Sequence, residues 1–236
     1  MKVLAIGNSF SQDANAYLKG VCQASGNSIR NVNLYIGGCS LYRHFQNIRA
    51  DKVDYAYEFC GVTTGLNVTI KQVLLSDEWD VVTLQQASHF SHNFETYEPY
   101  LTELANYVHY YCPKARLAIH QTWSYENGSE KLANSGYAKH EDMFRDVEKA
   151  YDKAAKSIGA ELIIPSGKTF ENLFSLGVEK VHRDTFHASL GVGRYALSLT
   201  WMKALFGTDP VGNTFRDFSV PMSEEEIDLA QKAAAK

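Results

Sequence analysis

Short continuous apolar runs alternate along the chain with longer stretches of helical periodicity. The runs are bounded by polar or turn residues and predict five strands, at 3–6, 32–36, 81–84, 117–119 and 162–164. Apolar positions at helical spacing predict a first helix from near Ser11 or Asp13 to about Cys22, and others at about 95–111, 137–158 and 190–206. Apolar strands that alternate with helices are typical of a parallel sheet covered on both faces. The pattern therefore predicts an α/β fold.

Residues 54–70 depart from this alternation. Tyr55, Tyr57 and Phe59 lie at every second position, and a glycine-containing turn region separates them from a second short apolar stretch. This pattern predicts a β-hairpin inserted into the second crossover, which would serve either as a lid or substrate wall or as a surface decoration. Near the C-terminus, Ser223 followed by three glutamates predicts the start of a last helix. Since no repeat or linker interrupts the chain, we expect one domain over residues 1–236.

Composition and charge exclude several classes of function. Hydrophobic residues make up 45% of the chain and charged residues 21%, which is ordinary for a globular protein. The net charge of −4 and the lack of a block of Lys and Arg argue against a nucleic-acid partner. No apolar run approaches the roughly 20 residues that span a bilayer, so we expect no membrane partner. The N-terminus lacks a signal-peptide pattern, which makes a cytoplasmic location the expectation.

Polar residues follow the first two predicted strands, where ligands bind in parallel sheets. Ser9 stands between strand one and the first helix, where its backbone N–H could help to bind an oxyanion that forms when the serine attacks a carbonyl. A simple helix N-cap is the alternative explanation for this serine. Gly37 and Gly38 follow strand two and would let the backbone approach a ligand closely, although a tight turn would also use them.

Asp184 precedes His187 by three residues, just ahead of the last long predicted helix. A carboxylate at this spacing can fold back and accept the imidazole Nδ1–H, which leaves Nε2 free to take a proton from a serine. Taken alone, the pair also fits a helix cap or an exposed ion pair. The combination of Ser9, Gly38, Asp184 and His187, each at the end of a strand or in a loop, is much harder to explain by local structure.

These motifs resemble those of the SGNH (GDSL) esterases. The segment Gly7-Asn8-Ser9-Phe10-Ser11 is similar to the first block of that family in a GNSFS variant, and Gly38 and the Asp184/His187 pair match later blocks. The resemblance implies a three-layer α/β/α sandwich with a flavodoxin-like, five-stranded parallel sheet. It also implies that Ser9 is the nucleophile, His187 the general base and Asp184 its orienting partner, with no metal or organic cofactor.

The third block of the family departs from the usual pattern. That block is normally Gly-x-Asn, whose Asn donates to the oxyanion, whereas this chain has Leu84-Gln85-Gln86-Ala87-Ser88 after strand three. A glutamine amide carries the same NH₂ donor on a longer arm. We therefore expect Gln86, or failing that Gln85, to take the place of the Asn. If neither does, the oxyanion hole rests on the Ser9 and Gly38 N–H groups and turnover should be slow.

Three side chains near the same sheet edge are candidates for substrate contact. His89 and His92 follow strand three and would bind by hydrogen bonds, whereas Trp123 follows strand four and suits a sugar ring or an acyl chain. Polar loop positions and packing against the core are the alternatives. Together with His120 the histidines could bind zinc, but we expect no metal because their spacing does not make them converge. Asp13 is interpreted as structural, at a helix start that favours a carboxylate.

The residues together predict an esterase that acts through an acyl-enzyme. A small-molecule or carbohydrate ester is the expected partner, and an O-acetylated carbohydrate is the first candidate because the motifs are also similar to those of carbohydrate esterases. Acyl transfer or thioester cleavage would use the same three residues. A non-catalytic sugar-binding module is the alternative from another class, and the missing Gly-x-Asn is the feature that favours it. The oligomeric state is not specified by the sequence.

Overall fold

The computed structural model describes residues 1–236, in which seven strands form one sheet. The strands are β1 (Lys2–Gly7), β2 (Arg30–Tyr35), β3 (Tyr55–Phe59), β4 (Val62–Val68), β5 (Val81–Leu84), β6 (Arg116–His120) and β7 (Leu162–Ile164). Their order across the sheet is β4-β3-β2-β1-β5-β6-β7. Neighbouring strands in the series β2-β1-β5-β6-β7 pair in parallel. Strand β3 pairs antiparallel with both β2 and β4.

Ten α-helices flank the sheet. They are α1 (Ser9–Asn15), α2 (Leu18–Ala24), α3 (Leu41–Ala50), α4 (Ile70–Leu74), α5 (Tyr100–Tyr111), α6 (Glu130–Asn134), α7 (His140–Ser157), α8 (Ser166–Ser175), α9 (Val192–Phe206) and α10 (Glu224–Ala235). Helices α3, α4 and α5 contact one another, and α9 contacts α1, α2, α8 and α10. No helix is both long enough and apolar enough to cross a membrane.

The predicted α/β/α fold is confirmed, and the five parallel strands are the five that the apolar runs predicted. Among themselves they follow the order second, first, third, fourth, fifth, which is the flavodoxin-like order. The central strand β1 shows why apolar runs predict these strands, since Val3, Leu4 and Ala5 are all fully buried. A strand covered on both faces has no polar face, so its sequence is continuously apolar.

The predicted hairpin corresponds to β3 and β4, which extend the sheet to seven strands. β3 pairs with β2 from Val32 to Tyr35, and Glu58 on β3 is buried against the side chain of Asn33. Because these strands lie in the plane of the sheet, the hairpin is an extension of the sheet rather than a lid that closes over a substrate. Its outer strand β4 is the exposed sheet edge.

The first predicted helix differs most from the structure, because it is divided into α1 and α2. The break lies at Ala16 and Tyr17, and the Tyr17 hydroxyl donates to the carbonyl of Leu190 at 2.6 Å, far away in the sequence. A contact of this kind leaves no periodic trace in the local sequence. The last helix, in contrast, begins as predicted, because Ser223 and Glu226 form a capping box at the start of α10.

Candidate active site

The predicted nucleophile lies at the junction of β1 and α1. Asn8 is the N-cap of α1, and its side-chain oxygen accepts the N–H of Phe10 at 3.0 Å. Ser9 is the first helical residue, so its own N–H has no acceptor within the helix. The junction is also tight, because a Cβ atom at Gly7 would lie only 2.3 Å from Ser11 Oγ. In the Gly-Asn-Ser segment, the glycine allows the close approach to Ser11, the asparagine caps the helix, and the N–H of Ser9 remains free to donate to a ligand.

The structure brings Ser9, His187 and Asp184 into one hydrogen-bonded chain, although Ser9 and His187 are 178 positions apart. His187 Nε2 lies 2.8 Å from Ser9 Oγ, and His187 Nδ1 lies 2.7 Å from Asp184 Oδ2. The other carboxylate oxygen of Asp184 accepts the backbone N–H of His187 at 2.9 Å. With both ends of the imidazole engaged, the ring orientation is the one that a serine general base requires.

The Asp184 carboxyl is kept ionised. Partial burial alone would raise its pKa, but the hydrogen bonds from the His187 ring and backbone, with the charges of His187 and Arg183, outweigh burial and hold the pKa below its usual value. A carboxylate can only accept hydrogen bonds, so it selects the His187 tautomer that is protonated on Nδ1. Nε2 is then the unprotonated nitrogen that faces Ser9.

The loop that carries Asp184 and His187 is held by the core beneath it. Residues His182 and Ala188 form an isolated antiparallel bridge, which closes the loop at its base. Between them, Thr185 adopts a left-handed conformation with φ 74°. The carbonyl of Phe186 accepts the indole N–H of Trp123 at 2.7 Å. The loop therefore has both a closed base and an anchor at its tip.

Trp123 is not available to a substrate, and the predicted contact is wrong. Its side chain is fully buried and stacks between Phe10 and Phe170, with ring centroids at 4.1 Å and 4.6 Å. The residue supports the site from below, because it packs on the neighbour of Ser9 and anchors the loop of His187. An aromatic residue at a sheet edge serves either purpose, and only its tertiary neighbours distinguish the two.

Gly38 lies in the turn that follows β2, where the Cys39 N–H donates to the Ile36 carbonyl at 3.2 Å. The glycine has φ 61°, a conformation that glycine adopts without strain at the third position of such a turn. Its N–H donates to no acceptor in the chain. The side chain of Asn8 ties this turn to the Ser9 junction, because its amide nitrogen donates to the Cys39 carbonyl at 3.1 Å.

The two glutamines of the third block are buried and occupied, which contradicts the role predicted for Gln86. Its amide nitrogen donates to Thr96, lying 3.0 Å from the carbonyl and 3.2 Å from the hydroxyl, so this donor is already engaged within the protein. Gln85 donates to Asn8 Oδ1 at 2.6 Å and its oxygen contacts His120 Nδ1 at 2.7 Å. The two amides thus organise the residues around the site instead of facing a substrate.

Ser88 is a polar residue of this edge that the sequence analysis did not single out. Its hydroxyl oxygen accepts the Tyr125 O–H at 2.9 Å, and its own hydroxyl hydrogen has no acceptor. If Gln86 is matched to the Gly of the usual Gly-x-Asn block, Ser88 takes the place of the Asn. The sequence alone favours the glutamines at this block, because their amides are chemically closer to Asn than the Ser88 hydroxyl is.

The histidines near the site have different environments. His120 is fully buried, both of its ring nitrogens are hydrogen-bonded, and burial lowers its pKa to about 3, so it is a neutral internal link without a free nitrogen for a metal. His89 is exposed beside Phe90, and its pKa is lowered by partial burial and then by the charge of Lys131. His92 packs edge-on against Tyr137. Substrate contact by His89 or His92 stays a prediction.

The rim of the site also includes a cation. The ammonium group of Lys131 lies 3.7 Å from the ring centroid of Phe186, and the Phe186 ring is 3.9 Å from that of His187. None of the salt bridges in the chain includes Lys131, so its charge is not neutralised by a neighbouring carboxylate. Phe186 and Lys131 therefore place an apolar and a positively charged surface next to the His187 ring.

Comparison with known proteins places the chain in a family. Residues 2–236 match the family described as a domain of unknown function, DUF4886. A crystal structure of a DUF4886 family protein from Bacteroides uniformis is 35% identical, with a TM-score of 0.91, over 100% of this chain and 93% of that chain. No curated protein matches the sequence significantly.

More distant structures share the fold. A protein assigned to the SGNH hydrolases from Slackia heliotrinireducens is 21% identical with a TM-score of 0.63, over 86% of this chain and 98% of that one. Axe2, an acetylxylan esterase from Geobacillus stearothermophilus, is 16% identical with a TM-score of 0.55, over 86% and 93%. Identities this low show a common fold and leave the activity open. The SGNH-type fold predicted from the motifs is thus confirmed, and the chain belongs to the DUF4886 family.

Proposed function

We propose that this protein is a serine esterase that forms an acyl-enzyme on Ser9. The observation that carries the proposal is the continuous hydrogen-bonded chain from Ser9 Oγ through the His187 ring to Asp184, with 2.8 Å and 2.7 Å between the heavy atoms. A helix cap or a surface ion pair explains either end of this chain alone, but neither explains a serine hydroxyl in contact with the ring of an oriented histidine.

In the first half of the reaction, Ser9 Oγ attacks the ester carbonyl carbon while His187 Nε2 accepts the serine proton. The tetrahedral intermediate collapses when the imidazolium returns that proton to the departing alkoxide, which leaves an acylated Ser9 and a free alcohol. In the second half, water attacks the acyl carbon with His187 again as base, and the acid is released. Asp184 stabilises the imidazolium in both halves.

Cys39 does not compete as a nucleophile, although it follows Gly38 directly. Its side chain is fully buried, and burial raises the pKa of the thiol to about 12. Because the thiolate is the reactive form of cysteine, this residue is inert at neutral pH. The reaction is therefore assigned to the serine rather than to a thiol at the same sheet edge.

The oxyanion hole is proposed to contain the N–H groups of Ser9 and Gly38 and the hydroxyl of Ser88. The two N–H groups have no acceptor in their own helix or turn. Ser88 follows β5, whose Leu84 pairs with Ile6 of β1, so Ser88 and Ser9 leave neighbouring strands at the same edge. The Tyr125 O–H that donates to Ser88 polarises the serine hydroxyl and so strengthens it as a donor.

Replacing Ser88 by alanine should lower kcat by about a hundredfold and change KM little, as expected for one oxyanion donor that acts mainly in the transition state. Tyr125→Phe should give a smaller loss, since it removes only the polarising hydroxyl. Ser175→Ala is the matched control, because the Ser175 hydroxyl donates only to the local carbonyl of Asn172. Steady-state kinetics with p-nitrophenyl acetate measure these effects, and wild-type kcat in Ser88→Ala would exclude this donor.

An O-acetylated carbohydrate is the proposed substrate class. The fold is shared with an acetylxylan esterase, and the rim offers His89 and Lys131 as hydrogen-bond donors for hydroxyl groups. The apolar Phe186 ring beside His187 suits a small acyl group. We therefore expect acetyl esters to be turned over faster than esters of long-chain acids.

The experiment that tests the proposal is covalent labelling by a fluorophosphonate, followed by mapping of the labelled peptide. We expect Ser9 to react and the mass of the probe to be found on its peptide. The esterase activity of the protein should fall in proportion to the fraction labelled. Release of acetate from acetylated xylo-oligosaccharides then tests the substrate class. A folded protein that neither labels nor hydrolyses any ester would contradict the enzyme and favour a sugar-binding module.

A further inference from the structure

Asp13 is a fully buried carboxylate on α1, one helical turn beyond Ser9. Four donated hydrogen bonds reach it from outside its own helix. Arg183 Nη1 lies 2.9 Å from each carboxylate oxygen, Arg194 Nε lies 2.8 Å from Oδ1, and the backbone N–H of Ala188 donates to Oδ2 at 3.1 Å. None of these partners belongs to the N-terminus of α1, so the interpretation of Asp13 as a residue that favours the helix dipole does not describe its contacts.

The partners of Asp13 lie at both ends of the loop that carries the predicted base. Arg183 directly precedes Asp184, and Ala188 directly follows His187. Arg183 Nη1 also donates to the Ala188 carbonyl at 2.5 Å, so one guanidinium joins Asp13 to the far end of the loop. A single carboxylate on the helix of Ser9 therefore binds the residues immediately before and after the Asp184–His187 pair.

The arrangement is also costly to disturb. A buried carboxylate needs compensating charge and hydrogen bonds, and here two arginines and one N–H provide them. Both arginine side chains are themselves mostly shielded from water, with 28% and 19% exposed. Loss of the carboxylate would leave two poorly solvated guanidinium groups without their anion, and the loop would have to move for them to reach water.

We infer that Asp13 is a positioning residue that sets the distance between Ser9 Oγ and the His187 ring. This inference rests on the proposed function of Ser9, because it assigns Asp13 a part in the same reaction. Asp13 touches neither reacting atom; it acts by holding the helix of the nucleophile against the loop of the base. Misplacement of a catalytic group by about 1 Å lowers the rate by roughly a hundredfold, so such a tie affects catalysis as well as stability.

The test compares Asp13→Asn with Leu104→Ala, both studied below their melting temperatures. Leu104 is a fully buried residue of α5, so the control loses stability without touching the loop. Asp13→Asn is expected to lower kcat by about a hundredfold with little change in KM, whereas Leu104→Ala should keep the wild-type kcat. Because lost stability is common to both variants, only a positioning effect separates their kcat values.

A proton NMR measurement tests the inference without any reaction. The His187 Nδ1 proton in its hydrogen bond to Asp184 is expected to give a far-downfield resonance, which His187→Gln identifies by removing it. This resonance should be present in wild type and in Leu104→Ala, and lost or shifted in Asp13→Asn. If wild type shows the resonance but hydrolyses no ester, the proposed function fails while the positioning of His187 by Asp13 is still measured.

Two further variants keep the inference testable if Asp13→Asn does not fold. Arg194→Met is the cleaner of the two, because Arg194 contacts Asp13 without adding its charge to Asp184, whereas the charge of Arg183 also acts on that carboxylate. A lower kcat and a shifted His187 resonance in Arg194→Met support positioning, and Arg183→Met should show at least the same loss. Equal kcat values in the two arginine variants and wild type, with an unchanged His187 resonance, would overturn the inference and leave Asp13 as a purely stabilising residue.

Discussion

Replacing Ser9 by alanine is expected to lower kcat for p-nitrophenyl acetate by about 10⁴- to 10⁶-fold, the range found for serine triads. The alanine removes the attacking oxygen, so the acyl-enzyme cannot form and only the residual effect of the oxyanion hole remains. His187→Ala should give a loss of similar size, because the hydroxyl without its base is a poor nucleophile. Both losses are checked by initial rates, measured at enzyme concentrations high enough for the enzymatic rate to exceed background hydrolysis.

The double variant Ser9→Ala/His187→Ala gives the sharper part of this test. Groups that act as one unit show non-additive losses, so the double variant is expected to be no worse than either single variant. Ser76→Ala serves as the control, since Ser76 is an exposed turn residue with only a local bond to the Val73 carbonyl. Losses that multiply in the double variant would mean that the two residues act separately, against the acyl-enzyme proposal.

Replacing Trp123 by alanine is expected to lower the free energy of unfolding by about 3–5 kcal/mol, as for other fully buried aromatic residues. The indole fills the space between Phe10 and Phe170 and donates to the Phe186 carbonyl. Its loss leaves a cavity and an unpaired carbonyl, and alanine cannot compensate for either. Urea denaturation followed by circular dichroism measures the change.

Tyr110→Ala is the matched control for Trp123, because the Tyr110 side chain is 79% exposed and its removal should change the free energy of unfolding by less than about 0.5 kcal/mol. Trp123→Phe would retain part of the packing and lose the hydrogen bond to the loop, so an intermediate loss of stability is expected. If Trp123→Ala instead had wild-type stability and a raised KM, Trp123 would be a substrate contact and its structural role would be wrong.

Much of this protein was determined by local sequence. Continuous apolar runs such as 3–6 predict buried parallel strands, because a strand covered on both faces has no polar positions. The glycine, asparagine and serine at the end of β1 and the Asp184/His187 spacing predict a serine hydrolase site, because each motif expresses a short-range requirement. Gly7 permits a tight turn, Asn8 caps a helix, and Asp184 folds back onto His187. Each of these interactions joins residues that are only a few positions apart.

The tertiary structure alone decided which of the remaining polar and aromatic residues face the site. Gln86 and Trp123 have side chains suited to a substrate, yet both are engaged by partners distant in the sequence, because the Gln86 oxygen accepts the N–H of Leu41 and the Trp123 indole donates to the Phe186 carbonyl. Asp13 looks from its position like a helix-start residue, whereas its ligands lie about 170 to 181 positions away. Burial and periodicity are local properties that a sequence displays, but the identity of a side chain's partner depends on how the whole chain folds.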